Sequence, residues 1–149
     1  MILMKFIVYL AGEIHSDWRE ELIEKVKEKG LPYEFVSPQT DHDLSDSIGE
    51  KILGEQPNDL YKDDKASDMN NFRTQLLMDK ADLVIALFGE KYSQWNTAMD
   101  ATLAIEKKKP LILIRGDKNR HALKELSNRA NVTVESIEQA VEVLEYVIK

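Results

Sequence analysis

Apolar runs alternate with amphipathic segments along most of the 149-residue chain. Five short runs are rich in aliphatic residues and bounded by glycine, proline or charge, which is typical of strands buried on both faces. They are KFIVYLAG at 5–12, YEFVSP at 33–38, DLVIALFG at 82–89, PLILIRG at 110–116 and VTVE at 132–135. We predict that these are the five strands of one sheet.

Segments with helical spacing separate the strands. In SDWREELIEKVKEKG at 16–30, Trp18, Leu22 and Val26 fall on one face, and Gly30 ends the helix. Further helices are predicted at 67–81 with Ser67 or Asp68 as N-cap, at 95–109, at 121–128, and at 136–149 with Ser136 as N-cap. The alternation predicts βαβ units in a three-layer α/β/α, flavodoxin-like (Rossmann-like) fold, with 1–149 as a single domain.

Residues 39–65 do not follow this alternation. The segment is polar and contains two glycines and a proline. We expect one short helix in SDSIGEKIL, starting at Ser45 or Asp46, and loop elsewhere. A connection this long in a compact domain is usually functional or disordered, and this one is long enough to act as a lid over a substrate.

Composition limits the partners of this chain. The net charge is −7, which argues against binding to nucleic acid or to an anionic membrane, where a basic surface is expected. Small anionic ligands remain possible, because a helix N-terminus binds phosphate without lysine. There are no cysteines, which excludes disulfides and thiolate chemistry. The apolar start MILMKFIVYLAGE is too short to span a membrane, so we expect a cytoplasmic protein.

No metal or cofactor is expected. The three histidines, at 15, 42 and 121, lack ligand spacing, and the acidic group Asp41, His42, Asp43 and Asp46 fits a solvated loop better than a cation site. The sequence contains neither a Gly-x-Gly-x-x-Gly motif nor a Walker-type loop, so dinucleotide or ATP use has no support.

Asp100 raises the main functional question. It is the single charge in the otherwise small or apolar stretch NTAMDATLAI at 96–105. On a helical projection Ala98, Ala101, Thr102 and Ile105 cluster on one side, and Asp100 lies opposite, between Leu103 and Ala104. A helix that is apolar all round is buried all round, so we expect one side on the sheet and the other against a second subunit, with Asp100 partly buried.

Two interpretations of Asp100 are open at this point. Thr97 and Asp100 stand three residues apart, as in a capping box, and the helix dipole stabilises an acidic residue in the first turn. On spacing alone this capping role is the commoner one. The other interpretation is that Asp100 is a catalytic nucleophile.

A wider resemblance favours the nucleophile. Ala81-Asp82 before a strand, the stretch NTAMDATLA at 96–104, and Lys109-Pro110 before the next strand resemble the signature of the nucleoside 2-deoxyribosyltransferase family. The stretch YLAGEIHS at 9–16 resembles that family's first strand and turn, and the likeness is strongest to the YtoQ branch. The resemblance covers most of the chain in the same order.

The resemblance implies N-glycosidic bond chemistry on a nucleoside or nucleotide, either deoxyribosyl transfer or hydrolysis. The family's helix glutamate is a nucleophile that forms a glycosyl-enzyme intermediate, and the matching residue here is Asp100. The family acid that assists the leaving base corresponds to Thr74, which cannot serve as an acid at neutral pH. The nearby Asp68 is therefore the candidate acid, with helix capping as its alternative.

Other candidates bind the substrate. Asn70 and Asn71 offer amides for a base edge, and Arg73 offers a fork for a phosphate or carboxylate. In the first turn Glu13 and His15 are candidate proton donors or sugar ligands, although a surface role for His15 is the alternative. The resemblance and the strand-end position add Tyr9, Gly12 and Ser16 as substrate-binding candidates. Tyr92 and Trp95 are candidates for stacking on a base, although a tryptophan just before a helix is more often a packing anchor, and Asn96 follows at the helix start.

A second hypothesis is that the protein has this fold but does not break N-glycosidic bonds. This chain differs from the family pattern at two positions, with Asp100 in place of the glutamate and Thr74 in place of the acid. Both differences suit a non-catalytic module that binds a nucleotide or sugar nucleotide. Geometry separates the two: a catalytic Asp100 faces a cleft shared with Gly12, Glu13 and Asn71, whereas a capping Asp100 folds onto the Thr97 backbone. The apolar helix at 97–105, with the pairing implied by the resemblance, also predicts a homo-oligomer.

Overall fold

A computed structural model describes residues 5–91 and 94–149 and contains a five-stranded parallel sheet. The strand order is β2-β1-β3-β4-β5, which is the flavodoxin-like order predicted from the alternation. The strands are β1 Phe6–Ala11, β2 Tyr33–Val36, β3 Leu83–Phe88, β4 Leu111–Arg115 and β5 Val132–Val134.

Helices cover both faces of the sheet. They are α1 Trp18–Glu28, α2 His42–Leu53, α3 Asp59–Lys80, α4 Trp95–Glu106, α5 Lys124–Arg129 and α6 Ile137–Val147. One core lies between the sheet and α1 with α6, and a second lies between the sheet and α3 with α4. Because side chains alternate along a strand, Val8 and Leu10 of β1 enter the first core whereas Tyr9 and Ala11 enter the second.

The predicted helix ends are confirmed at two positions. Gly30 follows α1 with a φ of 63°, a left-handed conformation that glycine adopts without cost. Ser136 caps α6, and its hydroxyl accepts a hydrogen bond from the Gln139 amide at 3.2 Å. Within residues 5–91 and 94–149, no helix is both long and apolar enough to cross a membrane.

The segment 39–65 was predicted as mostly loop, and this prediction is wrong. It forms all of α2 and the start of α3, which begins at Asp59 rather than near residue 67. The N-cap is Asn58, whose side chain accepts a hydrogen bond from the Tyr61 amide at 3.1 Å, so Ser67 and Asp68 lie inside the helix. The two helices pack closely at Gly49, since a Cβ added there would stand only 2.6 Å from the Lys65 backbone.

The sheet order places a crevice between β1 and β3. β1 leads into α1 on one face and β3 leads into α4 on the other, so the chain diverges at their carboxyl ends. Ligands of doubly wound sheets bind in a crevice of this kind.

Candidate active site

A cavity of about 590 Å³ lies at this crevice, a size typical of small-molecule sites. The β1–α1 turn, the segment from 38 to 46, one face of α3 and the first two turns of α4 enclose it. Its lining residues are Gly12, Glu13, Ile14, His15, Pro38, Gln39, His42, Ser45, Asp46, Asp63, Ala66, Ser67, Asn70, Asn71, Thr74, Gln94, Trp95, Asn96, Thr97, Met99 and Asp100.

The start of α4 rules out capping by Asp100. The helix begins at Trp95, and the preceding Gln94 side chain is paired with Gly89 through two hydrogen bonds of 2.7 and 2.8 Å. Thr97 is therefore the third residue of the helix, and Asp100 lies almost one turn further on. A side chain at that position cannot reach the free amides of the first turn. The capping-box interpretation is wrong.

Asp100 instead projects into the cavity from a buried position. It is 7% exposed and shares the buried side of α4 with Thr97, Ala101 and Ala104. The expectation that Asp100 lies opposite Ala101 is wrong, because both belong to the side that packs on the sheet. The chain itself therefore buries Asp100, without a second subunit.

The Asp100 carboxylate has an unusual electrostatic environment. In the described part of the chain it accepts no hydrogen bond and forms no ion pair. Burial raises its pKa from 3.8 to about 6, and the charge of Arg19 partly opposes this. At neutral pH Asp100 is mostly ionised yet poorly solvated, which is the state a carboxylate nucleophile requires.

Tyr9 lies beneath the cavity beside Asp100. It is fully buried, and its hydroxyl has no hydrogen-bond partner among the described residues, although the Thr74 side chain lies near it. Burial, followed by the charge of Asp100, raises the Tyr9 pKa to about 12. The phenol therefore stays protonated, and Tyr9, predicted to bind the substrate, lies outside the cavity lining.

Glu13 does not act as the predicted proton donor. Its carboxylate accepts hydrogen bonds from the His15 amide at 2.5 Å, the Ser16 amide at 3.1 Å and the Ser16 hydroxyl. Burial favours a higher pKa, but these bonds and Arg19 outweigh it and hold the pKa of Glu13 below its usual range. Glu13 and Ser16 thus shape the β1–α1 turn, and Ser16 does not line the cavity.

Arg19 organises this turn, although it was not among the residues predicted for the site. Its guanidinium is buried and donates to the carbonyls of Leu10, Gly12 and Glu13 at 2.7–3.2 Å. A cation in the first turn of a helix opposes the helix dipole, so a first-turn arginine was a signal that its charge is used elsewhere.

Gly12 lines the cavity and also has a packing role that was not predicted. A Cβ at this position would stand 2.5 Å from the Trp18 ring, so the glycine makes room for the indole. The Trp18 indole N–H also donates to the Glu13 carbonyl at 3.0 Å, which fixes the ring under the turn.

The α3 candidates separate into two groups. Asn71 and Thr74 line the cavity, and Asn71 makes no hydrogen bond in the described part of the chain. Asn70 also faces the cavity, but its amide donates to the carbonyl and hydroxyl of Ser45 at 3.0 and 3.1 Å and so joins α3 to α2.

Two further α3 candidates lie outside the cavity lining. The Arg73 guanidinium donates to the Ser37 carbonyl at 2.7 Å, so it supports the end of β2 rather than a phosphate. The exposed Asp68 lies 3.9 Å from the Lys65 ammonium. The structure therefore does not bring Asp68 together with Asp100.

The cavity mouth is formed by exposed rings. Trp95 is 82% exposed, so it does not anchor the helix within the chain, and Asn96 beside it also faces the cavity. His15 and His42 face each other across the mouth with ring centroids 5.5 Å apart. Tyr92, the other candidate for stacking, lies outside the described residues. Among residues 5–91 and 94–149 no group of three or more potential ligands is suited to a metal ion.

Comparison with known proteins identifies the family. A family model described as "Nucleoside 2-deoxyribosyltransferase YtoQ" matches residues 9–148. The chain belongs to this family. It is also 65% identical over 146 residues to a Bacillus subtilis (strain 168) protein described as "Uncharacterized protein YtoQ", covering 98% of this chain and 99% of that protein. The resemblance found in the sequence is confirmed.

Solved structures agree with membership of the nucleoside 2-deoxyribosyltransferase YtoQ family at the level of the fold. A conserved protein from Enterococcus faecalis V583 aligns with a TM-score of 0.65 at 16% identity, covering 97% of this chain and 99% of that chain. A 2-deoxyribosyltransferase from Bacillus psychrosaccharolyticus aligns with a TM-score of 0.58 at 14% identity, covering 91% and 90%. These likenesses confirm the α/β fold class.

Proposed function

We propose that the protein breaks N-glycosidic bonds of nucleosides or nucleotides, with Asp100 as the nucleophile. The observation that carries this proposal is a buried carboxylate that has no hydrogen-bond partner among residues 5–91 and 94–149 and faces a cavity at the switch point of the sheet. Burying a charge without partners is costly, so such a group is expected to have a task. Family membership supports the same chemistry.

In this mechanism an Asp100 oxygen attacks the anomeric carbon of the sugar. A bond forms between that oxygen and C1′, and the bond between C1′ and the base nitrogen breaks, so its electron pair leaves with the base. A second base or water then attacks C1′ and releases Asp100, with overall retention of configuration. Whether transfer or hydrolysis dominates depends on whether a base outcompetes water in the cavity.

Side chains around Asp100 have supporting roles. Arg19 and Glu13 hold the β1–α1 turn that forms one wall, and Asn71 offers both a donor and an acceptor to the sugar or base. Trp95, exposed at the mouth, offers a face on which a base stacks. Aspartate is one methylene shorter than the family's glutamate, about 1.5 Å, so the sugar sits closer to α4.

We also propose a homo-oligomer that covers the outer side of α4. Trp95 and Met99 are 82% and 54% exposed and lie about one turn apart on α4. Apolar side chains grouped in this way commonly mark an interface. A monomer by light scattering at micromolar concentration would contradict the proposal. The cytoplasmic location expected from the sequence stays a prediction.

A non-catalytic nucleotide- or sugar-nucleotide-binding module is the second candidate function. Thr74 favours it, since the position that the resemblance assigns to an acid carries a group unable to protonate a leaving base at neutral pH. In that case ligands bind the cavity and no base is released.

The deciding experiment is chromatographic. The protein is incubated with ribo- and deoxyribonucleosides and their 5′-monophosphates, with and without a second free base, and released or exchanged base is measured. The Asp100→Ala variant should lose this activity by about a thousandfold or more, as expected for a removed nucleophile. Glu106→Gln, an exposed change on the same helix, is the matched control and should retain it.

Binding of nucleotides without base release, in the wild type as in Asp100→Ala, would favour the binding module. Base release that survives in Asp100→Ala would remove Asp100 from the nucleophile role while leaving the reaction class intact.

A further inference from the structure

The charge of the cavity is one-sided. Glu13, Asp46, Asp63 and Asp100 contribute carboxylates to its lining, and no lysine or arginine lines it among the described residues. The exposed Asp63 forms no ion pair in the described chain, whereas Asp46 lies 3.3 Å from the His42 ring. A water-poor cleft lined by one sign of charge attracts the opposite sign and repels its own.

The nearby cations, Arg19 and Arg73, do not neutralise the negative charge that a ligand meets in the cavity. Arg19 points its guanidinium at three carbonyls of the β1–α1 turn, and Arg73 donates to Ser37 outside the lining. Their donors are therefore occupied by backbone oxygens rather than aimed into the cavity. A 5′-phosphate would meet carboxylates without a lining cation to pair with.

Among the described lining residues, neither Thr74 nor Glu13 can protonate a leaving base, and the two histidines, His15 and His42, lie at the mouth. Thr74 does not ionise, and the Glu13 carboxylate is held as an acceptor by three hydrogen bonds. Asp100, the nucleophile, is consumed in forming the new bond. A neutral base is a poor leaving group unless a proton reaches it, but a cationic base leaves without one, because the departing electron pair neutralises its ring.

These observations point to one substrate class, and the inference rests on the proposed function. We propose that the cavity acts on glycosides whose base carries a positive charge, such as N-glycosyl pyridinium compounds or N-alkylated purine nucleosides, in preference to neutral nucleosides and 5′-phosphates. The carboxylates of Asp46 and Asp63 attract the cation, and Asp100 takes the sugar.

The reaction balances without an acid. An Asp100 oxygen bonds to C1′, the bond from C1′ to the ring nitrogen breaks, and its electron pair converts the cationic base into a neutral product. Water then attacks C1′, the bond from C1′ to Asp100 breaks, and one proton passes to solvent. The net change is cationic glycoside plus water giving sugar, neutral base and a proton.

The test compares matched glycosides. Nicotinamide riboside and its 2′-deoxy form provide the cation, inosine and deoxyinosine provide neutral bases, and nicotinamide mononucleotide adds the 5′-phosphate. Each rate is divided by the rate of the same compound without protein, because cationic glycosides are intrinsically more labile. We expect the acceleration for the cationic nucleosides to exceed that for the neutral ones by about a hundredfold or more, the usual contribution of a general acid.

The Asp63→Asn variant tests the electrostatic part. KM for nicotinamide riboside should rise about threefold to fivefold while kcat stays within twofold, and KM for inosine should not change. Asp64→Asn removes a neighbouring charge of the same helix that does not line the cavity, and it should leave both KM values unchanged.

The outcomes separate the two proposals. Equal or greater acceleration for the neutral nucleosides overturns this inference and leaves the proposed function standing. A preference for the 5′-phosphate also overturns it. Base release from none of the compounds overturns the proposed function and this inference together.

Discussion

Two carboxylates face the same cavity and differ in almost every physical respect. Glu13 lies on the β1–α1 turn and accepts three hydrogen bonds, and its pKa is lowered. Asp100 lies on the buried side of α4 and accepts none in the described chain, and its pKa is raised to about 6. Nearby hydrogen-bond donors, and not burial alone, therefore decide which carboxylate stabilises the fold and which stays available to a ligand.

The difference also has a cost in stability. Donors around Glu13 stabilise its charge, so ionisation of Glu13 stabilises the fold. Burial of Asp100 without donors means that its ionisation destabilises the fold. The same carboxylate-to-amide change should therefore act in opposite directions at the two positions, which makes the comparison testable.

The largest expected effect comes from Arg19, which serves both regions. Arg19→Met removes the guanidinium donor from the carbonyls of Leu10, Gly12 and Glu13, of which Glu13 keeps the Trp18 indole N–H, and we expect a loss of about 4 kcal/mol of unfolding free energy, measured in urea. Arg120→Met, at an exposed arginine, is the control and should change stability by less than about 0.5 kcal/mol. A similar small change for both variants would show that the turn does not depend on Arg19.

Asp100→Asn should stabilise the protein. A pKa of about 6 in the fold against 3.8 in the unfolded chain corresponds to about 3 kcal/mol lost at neutral pH. The folded state binds the extra proton, so the cost appears as pH rises from about 4 to 6 and is constant above that window. Urea unfolding from pH 4 to 8 should show the variant gaining over the wild type in that window. A gain of the same size at pH 4 would contradict a cause in ionisation.

Gly12→Ala tests the turn from its packing side. The added Cβ would stand 2.5 Å from the Trp18 ring, so the indole must shift and strain its hydrogen bond to the Glu13 carbonyl. We expect a loss of about 2 kcal/mol in thermal or urea unfolding. Gly89→Ala, where among the described residues no atom beyond the chain neighbours lies within 4 Å of the new Cβ, is the matched control. Equal effects of the two changes would show that Trp18 does not require Gly12.

The pH dependence of catalysis tests the role of Asp100 in this comparison. In the proposed mechanism only the ionised carboxylate attacks, so kcat/KM should fall about tenfold for each pH unit below the Asp100 pKa of about 6 and level off above it. The measurement is an initial-rate profile from pH 4.5 to 8 on any substrate that the chromatographic panel identifies. A rate that stays constant down to pH 4.5 would be incompatible with Asp100 as the nucleophile.

Glu13→Gln should give the smallest effect. The amide oxygen still accepts from His15 and Ser16, but hydrogen bonds to a neutral acceptor are weaker, so we expect a loss of about 1 kcal/mol at neutral pH. The difference should shrink as pH falls through the lowered pKa of Glu13, since the wild-type carboxylate then becomes neutral too. A gain in stability at neutral pH would reverse the comparison with Asp100.

The strands and several helix ends could be predicted because each depends on residues close together in sequence, and the sheet order followed from the alternation of strands and helices. Aliphatic runs such as 83–88 and a cap such as Ser136 depend on neighbouring residues only. The α2–α3 hairpin could not, because its stability depends on Gly49 meeting Lys65 and on Asn70 bonding to Ser45, contacts between residues distant in sequence. Polar composition therefore suggested a loop where two helices exist.

The site divides in the same way. Asp100, Asn71 and Trp95 could be selected from the sequence, because a carboxylate, an amide and an aromatic ring at strand ends suit a ligand. The roles of Glu13 and Arg73 could not be predicted, since whether such groups are free depends on backbone atoms that the fold brings near. Arg19 was missed for the same reason.

The α2–α3 hairpin has a consequence for how this fold diversifies. One wall of the cavity is an inserted unit, joined to β2 and β3 at its ends, and α2 packs chiefly on α3. Exchange of residues 42–70 between relatives would therefore alter the ligands that fit while leaving Asp100 and the β1–α1 turn in place. The segment that shapes this wall is thus separate from the helix that carries Asp100, which makes the hairpin a suitable unit for grafting experiments.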